Sequence, residues 1–164
     1  MNRRTLLLSG SAIAAIAALP FLTRMSPANA VEGTFEVSHS EEEWRKILSP
    51  EAFSVMRQEG TEYPGTSALL TEHRDGTFLC AGCDLALFDS ATKYESGTGW
   101  PSFYQPLDNA VQQSTDFKLG YARNEIHCRR CGGHLGHVFE DGPQPTGLRY
   151  CMNGVALKFE AKAA

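Results

Sequence analysis

The 164-residue sequence lacks a strongly apolar run long enough to cross a membrane comfortably. Its one apolar stretch, Leu6 to Leu22, has 17 residues and is diluted by alanine, serine and glycine. A spanning helix needs roughly 20 strongly apolar residues. No cysteine stands near the end of that stretch, which argues against a lipid-anchored lipoprotein. Basic residues number 15 against 19 acidic ones and form no clustered stripe, so nucleic acid is a poor partner. No repeat or low-complexity tract follows residue 31, which excludes repeat architectures. No long helical periodicity follows residue 60, which excludes a helical bundle.

What is present begins with a leader. "MNRR" is a short basic start, "TLLLSGSAIAAIAALPFL" an apolar run, and Ala28-Asn29-Ala30 a small-x-small close that suits cleavage before Val31. Arg3-Arg4 ahead of "TLLL" resembles a twin-arginine signal, read by a bacterial exporter of folded proteins. Residues 1–30 are therefore expected to be a signal peptide, and the protein to be exported to the periplasm. Residues 31–39 read as a polar linker, and 40–161 as one domain, expected to be monomeric.

"SEEEW" is a capping box, with Ser40 as cap and Glu43 reaching back, followed by a helix to Ile47 or Leu48. "SPEAFSVMRQEG" predicts a second helix, with Ser49 as cap, Pro50 in the first turn and Gly60 as the stop. "TEYPGT" is a turn. Asp75-Gly76 then turns into a strand, and "NEIHC", "HLGHVF" and "LRYCMNGVALKF" are short β-rich stretches punctuated by turn residues. The expected fold is mainly β, with two small N-terminal helices packed on an antiparallel body.

"CAGC" (Cys80, Cys83) and "CRRC" (Cys128, Cys131) stand 44 residues apart. Four thiolates from two tight loops suit a tetrahedral zinc ion. Haem attachment would need His after the second cysteine, where Asp84 and Gly132 stand. A thioredoxin-type pair would come singly in a βαβ setting. Two disulfides remain the rival, because the expected compartment is oxidising.

Cys151, in "GLRYCMNG", has no mate. Strand alternation puts Arg149, Cys151 and Asn153 on one face and Tyr150 and Met152 on the other. A lone cysteine is usually a small buried hydrophobe, but a face carrying a cation and an amide suits a thiolate better. An ordinary thiol is only a few per cent ionised at neutral pH, so neighbouring donors matter. His134 and His137 in "HLGHVF" offer more of them.

"CRRCGGHLGHVFEDGPQPTGLRYCMN", with "SGTGWPSF" and "CAGC" upstream, is similar to the type B methionine sulfoxide reductases over about Glu41 to Phe159. The resemblance implies two antiparallel sheets in a tent-like arrangement, with one structural zinc far from the active site. It implies reduction of the R epimer of methionine sulfoxide in proteins. Cys151 matches the nucleophile, His137 and Asn153 the groups around the sulfoxide oxygen, and Trp100 the indole that walls in the substrate methyl. His134 and Arg149 lie beside them. Two departures stand out. Thr98 occupies the place where many members carry a second redox cysteine, which implies that an external thiol, a thioredoxin-like protein or a small molecule, regenerates Cys151. Gly154 follows Asn153 where serine is usual, with only a small effect on strand geometry expected. Two non-enzymatic readings stay open: a zinc-stabilised module that binds oxidised methionine without turnover, and a disulfide-stapled domain with a free thiol.

Overall fold

A computed structural model describes residues 35–163. The leader and the first part of the expected linker lie outside the described residues. Among the described residues, no helix is long and apolar enough to cross a membrane.

Helix α1 (Glu41–Ile47) starts on the expected capping box. Ser40 Oγ accepts from the Glu43 N–H, and the Glu43 carboxylate accepts from the Ser40 N–H at 2.8 Å. Helix α2 (Pro50–Gln58) starts on Ser49 with proline in its first turn. It ends one residue before the expected stop: Glu59 takes the left-handed cap conformation, with φ of 53°, and the Gly60 N–H closes on the Ser54 carbonyl. The α2 face carrying Phe53, Val55 and Met56 is buried, part of it against the larger sheet.

Nine strands follow in two antiparallel sheets. The smaller has the order β2-β1-β9, from Gly76–Cys80 (β1), Ala86–Asp89 (β2) and Leu157–Ala161 (β9). The larger has the order β3-β4-β8-β7-β6-β5. Its strands are Lys93–Tyr94 (β3), Ser102–Phe103 (β4), Val111–Asp116 (β5), Arg123–Cys128 (β6), His134–Phe139 (β7) and Arg149–Met152 (β8). The expected mainly β architecture with two antiparallel sheets and two leading helices is what the chain forms. "LRYCMNGVALKF" is two strands: a 3-10 turn at Gly154–Ala156 carries the chain from β8 in one sheet to β9 in the other.

Aromatic rings fill the space between the sheets. Phe103 of the larger sheet stacks on Phe88 with centroids 4.3 Å apart and meets Phe78 edge-on at 4.9 Å. All three are fully buried, and burying each side chain contributes about 1.5–3 kcal/mol. The sheet that carries the site is thus held rigidly from behind.

Residues 35–39 are not a free linker. Phe35 lies edge-on to His127 and covers Gly132, and the Val37 N–H donates to the Arg130 carbonyl at 3.0 Å. Glu36 pairs with Arg129 and Arg130. This segment straps the second cysteine loop.

Candidate active site

Register in the larger sheet builds the site. Ser114 faces Glu125, Glu125 faces His137, His137 faces Cys151, Cys151 faces Ser102, and Ser102 faces Tyr94. Directly opposed residues share a face, so one polar row crosses all six strands with Cys151 near its middle. The next row on that face runs Asp116, Arg123 and then Phe139 opposite Arg149. Gly136 allows the central strands to close on each other: a Cβ there would sit 2.1 Å from the Cys151 carbonyl oxygen.

Cys151 is half-buried in a cleft of about 110 Å³, lined also by Thr61, Trp100, Arg123, Gly136, His137, Phe139 and Asn153. Four residues named from sequence, Cys151, His137, Asn153 and Trp100, meet there. Trp100 is fixed by its indole N–H, which donates to the Glu62 carbonyl at 3.0 Å. Asn153 is buried; its Nδ2 donates to the Leu135 carbonyl at 3.0 Å, and its Oδ1 accepts from the Glu62 N–H at 2.9 Å. One Nδ2 proton is left over.

His137 Nε2 lies 2.8 Å from Asp116 Oδ2, and Arg123 pairs with the same carboxylate oxygen. Burial alone would raise Asp116. The Lys118 N–H, His137 and Arg123 outweigh it and hold the carboxyl down at about 2. Burial pushes His137 below the usual imidazole range, against the opposing pull of Asp116.

His134 and Arg149 do not line the cleft. His134 Nδ1 lies 2.7 Å from Glu125 Oε1, and its ring stands edge-on to His137 with centroids 5.3 Å apart. Ser114 donates to the same glutamate, which is held below the usual carboxylate range despite burial. Arg149 makes a bidentate pair with Asp141, both contacts 2.8 Å, and lies over the Phe139 ring at 4.4 Å. It supplies positive charge on the Cys151 face from outside the cleft.

Arg123 and Asp116 were not legible from motifs. Arg123 lines the cleft, and its buried Nε has no partner. The signal that could have found them is the β5–β6 hairpin, which sets an acid opposite a base beside the histidine strand.

Thr98 Oγ1 lies 3.8 Å from Cys151 Sγ and is held by Ser96 Oγ at 2.8 Å, which in turn reaches Ser102 Oγ at 2.7 Å. Hydroxyls, not a second thiol, surround the cysteine here.

The other four cysteines form a separate cluster. Their sulfurs all lie within 4.8 Å of one another, with Cys80–Cys131 at 3.6 Å and Cys83–Cys128 at 3.5 Å. A tetrahedral zinc with Zn–S of about 2.3 Å has sulfur–sulfur edges of about 3.8 Å. No disulfide is formed; all five cysteines are free. Interaction with Cys128 holds Cys83 well below the usual thiol range and Cys80 well above it. The four sulfurs cannot all ionise on their own, whereas a dication would let them. The set can hold a metal ion.

Residues 48–161 match the SelR domain family. The chain is 55% identical over 127 residues to a peptide methionine sulfoxide reductase MsrB of Leptospira interrogans, covering 77% of this chain and 97% of the relative. It is 50% identical over 134 residues to the protein of that name from Leifsonia xyli, covering 80% and 96%. A chloroplastic peptide methionine sulfoxide reductase B1 of Arabidopsis thaliana is 50% identical over 125 residues, covering 76% of this chain and 62% of that one.

Proposed function

The chain belongs to the SelR family of peptide methionine sulfoxide reductases, and from that premise we propose that it reduces the R epimer of methionine sulfoxide in proteins through Cys151. The single observation that carries the mechanism is the cleft that sets Cys151 directly across from His137, with the Trp100 indole and buried Asn153 on the same walls.

The chemistry follows from these positions. The Cys151 sulfur attacks the sulfoxide sulfur while the oxygen takes a proton, with His137 the donor and the free Asn153 N–H steadying developing charge. The S–S bond just made and the substrate S–O bond then break as the oxygen passes to the Cys151 sulfur, so methionine leaves and the cysteine is left as a sulfenic acid. Sulfur in the substrate gains two electrons and the cysteine loses two. An external thiol then condenses with the sulfenic acid, releasing water and leaving a mixed disulfide. A second thiol equivalent frees Cys151. Trp100 offers an apolar wall for the methyl, and together with fixed donors for the oxygen that selects one epimer.

Zinc is the metal we assign to Cys80, Cys83, Cys128 and Cys131, on the strength of a four-thiolate donor set at tetrahedral spacing. Bound there, it would cross-link two loops that are distant in sequence. The leader supports a further part of the same reading, export to the periplasm.

The test is turnover of the separated R and S epimers of a blocked methionine sulfoxide with several thiol donors. Only the R epimer should be reduced, and Cys151→Ser should abolish turnover. Dimedone should trap Cys151 after stoichiometric oxidation, with no intramolecular disulfide by mass spectrometry. A Cys151→Ser enzyme as fast as its parent refutes the mechanism.

A further inference from the structure

The cleft has room for one side chain and not for the polypeptide that carries it. Beside it lies a groove of about 570 Å³ between the start of α2 and the segment that follows its end, with Val55, Tyr63 and Val155 on its apolar walls. Thr61 lines both cavities. The adjoining residue, Glu62, is bound through its backbone to both Trp100 and Asn153. Groove and cleft are therefore one continuous, rigidly connected surface.

The groove's charge has one sign. Glu51 and Glu62 line it, and among the described residues lining it there is no lysine, arginine or histidine. One Glu62 oxygen accepts from the Gly154 N–H at 2.6 Å, which fixes that carboxylate in place. Glu51 sits in the first turn of α2, is exposed, and has no ion-pair partner among the described residues. Tyr63 is 83% exposed, so its ring is open to a ligand on the groove wall.

We infer that this groove is the subsite for the peptide residues flanking the oxidised methionine, and that it favours an apolar residue and a lysine or arginine there over an aspartate or glutamate. The inference rests on the reductase reading, because it takes the cleft as the methionine sulfoxide site. Apolar flanks cover Val55, Val155 and the Tyr63 ring. A basic flank meets Glu51 and Glu62, and an acidic one meets like charge with no cation on the groove's own walls.

Exposed pairs of this kind are weak and screened by salt. The expected preference is accordingly about two- to five-fold in kcat/KM per charged position. The experiment compares the blocked R sulfoxide amino acid with short R sulfoxide peptides, uniform except for Lys, Ala or Glu flanking the oxidised residue. The order Lys, Ala, Glu should hold at low salt and flatten at high salt. Glu51→Lys should erase or invert it while leaving the blocked amino acid as good a substrate as before. Tyr63→Ala should remove the advantage of a leucine flank over a glycine flank. Reduction of the blocked amino acid with equal rates for Lys and Glu peptides overturns this inference alone. No reduction of the blocked amino acid overturns the reductase reading beneath it.

Discussion

Asp116 does not line the cleft, yet it should govern the protonation of His137. Its Oδ2 lies 2.8 Å from His137 Nε2, and its carboxyl stays ionised to about pH 2. Burial pushes the imidazole down, and Asp116 is the group that pulls it back up. A hydrogen bond to a charged group contributes about 1.5–3 kcal/mol, and a neutral one about half as much. Asp116→Asn keeps the shape but loses the charge, so it should lose about 0.75–1.5 kcal/mol of imidazolium stabilisation, or roughly four- to thirteen-fold in rate. Asp116→Ala loses the whole bond and should cost about 13- to 160-fold. The sign in pH is fixed by the same reasoning. If protonated His137 is the acid, the rate falls as pH rises through its pKa. Removing the carboxylate lowers that pKa, so the alkaline limb of kcat moves to lower pH, and at acid pH Asp116→Asn approaches the parent. The assay is the pH profile of kcat for the blocked R sulfoxide, with melting curves to monitor the fold. A limb that stays in place while the rate falls evenly at every pH refutes this positioning role.

Two further outcomes follow from packing and metal binding. A Cβ at Gly154 would lie 1.8 Å from Ser67 Oγ, so Gly154→Ser should destabilise by about 1–3 kcal/mol through overpacking, read as a lower urea midpoint. Ser67→Gly in the same chain should restore most of it, and additive losses in the double variant would refute the clash. Thiol modification with a chelator should release one zinc per chain and abolish cooperative melting. A structural zinc contributes on the order of 10 kcal/mol, comparable with the whole stability of a domain. A sharp melt that survives metal loss would show that the cluster is not what holds the loops.

How much of this was legible in the sequence depends on how local each signal is. The capping box at Ser40, the proline-led start of α2 and the two C-x-x-C loops are encoded within four residues each, and each forms as read. The alternation around Cys151 is equally local, and Met152 and Cys151 do divide between core and cleft. What escaped depends on register between distant segments. "VQQSTD" has no apolar alternation to mark β5, yet it pairs residue for residue with β6 and carries Asp116 to His137. Strands β3 and β4 are two residues each and exist only because neighbours pair with them. Phe35 read as part of a polar linker because its partner, the loop at Gly132, lies almost a hundred residues away. Gly154 was expected to matter little, because the atoms that crowd a side chain there belong to distant Ser67.

The same non-local logic bears on why Cys151 stands alone. Ser102 faces it across β4, and Ser96 links the Ser102 hydroxyl to Thr98, whose Oγ1 is 3.8 Å from the sulfur. A side chain at position 98 is therefore within reach of Cys151, and in this chain it ends in oxygen. Every other sulfhydryl is gathered in the separate cluster. A hydroxyl can donate to a sulfur anion or to the sulfenate oxygen, but it cannot close a disulfide. Position 98 instead holds a hydroxyl donor, anchored by two more hydroxyls. On the proposed chemistry an oxidised Cys151 would wait for an outside thiol, and the sulfur is half-buried and not sealed.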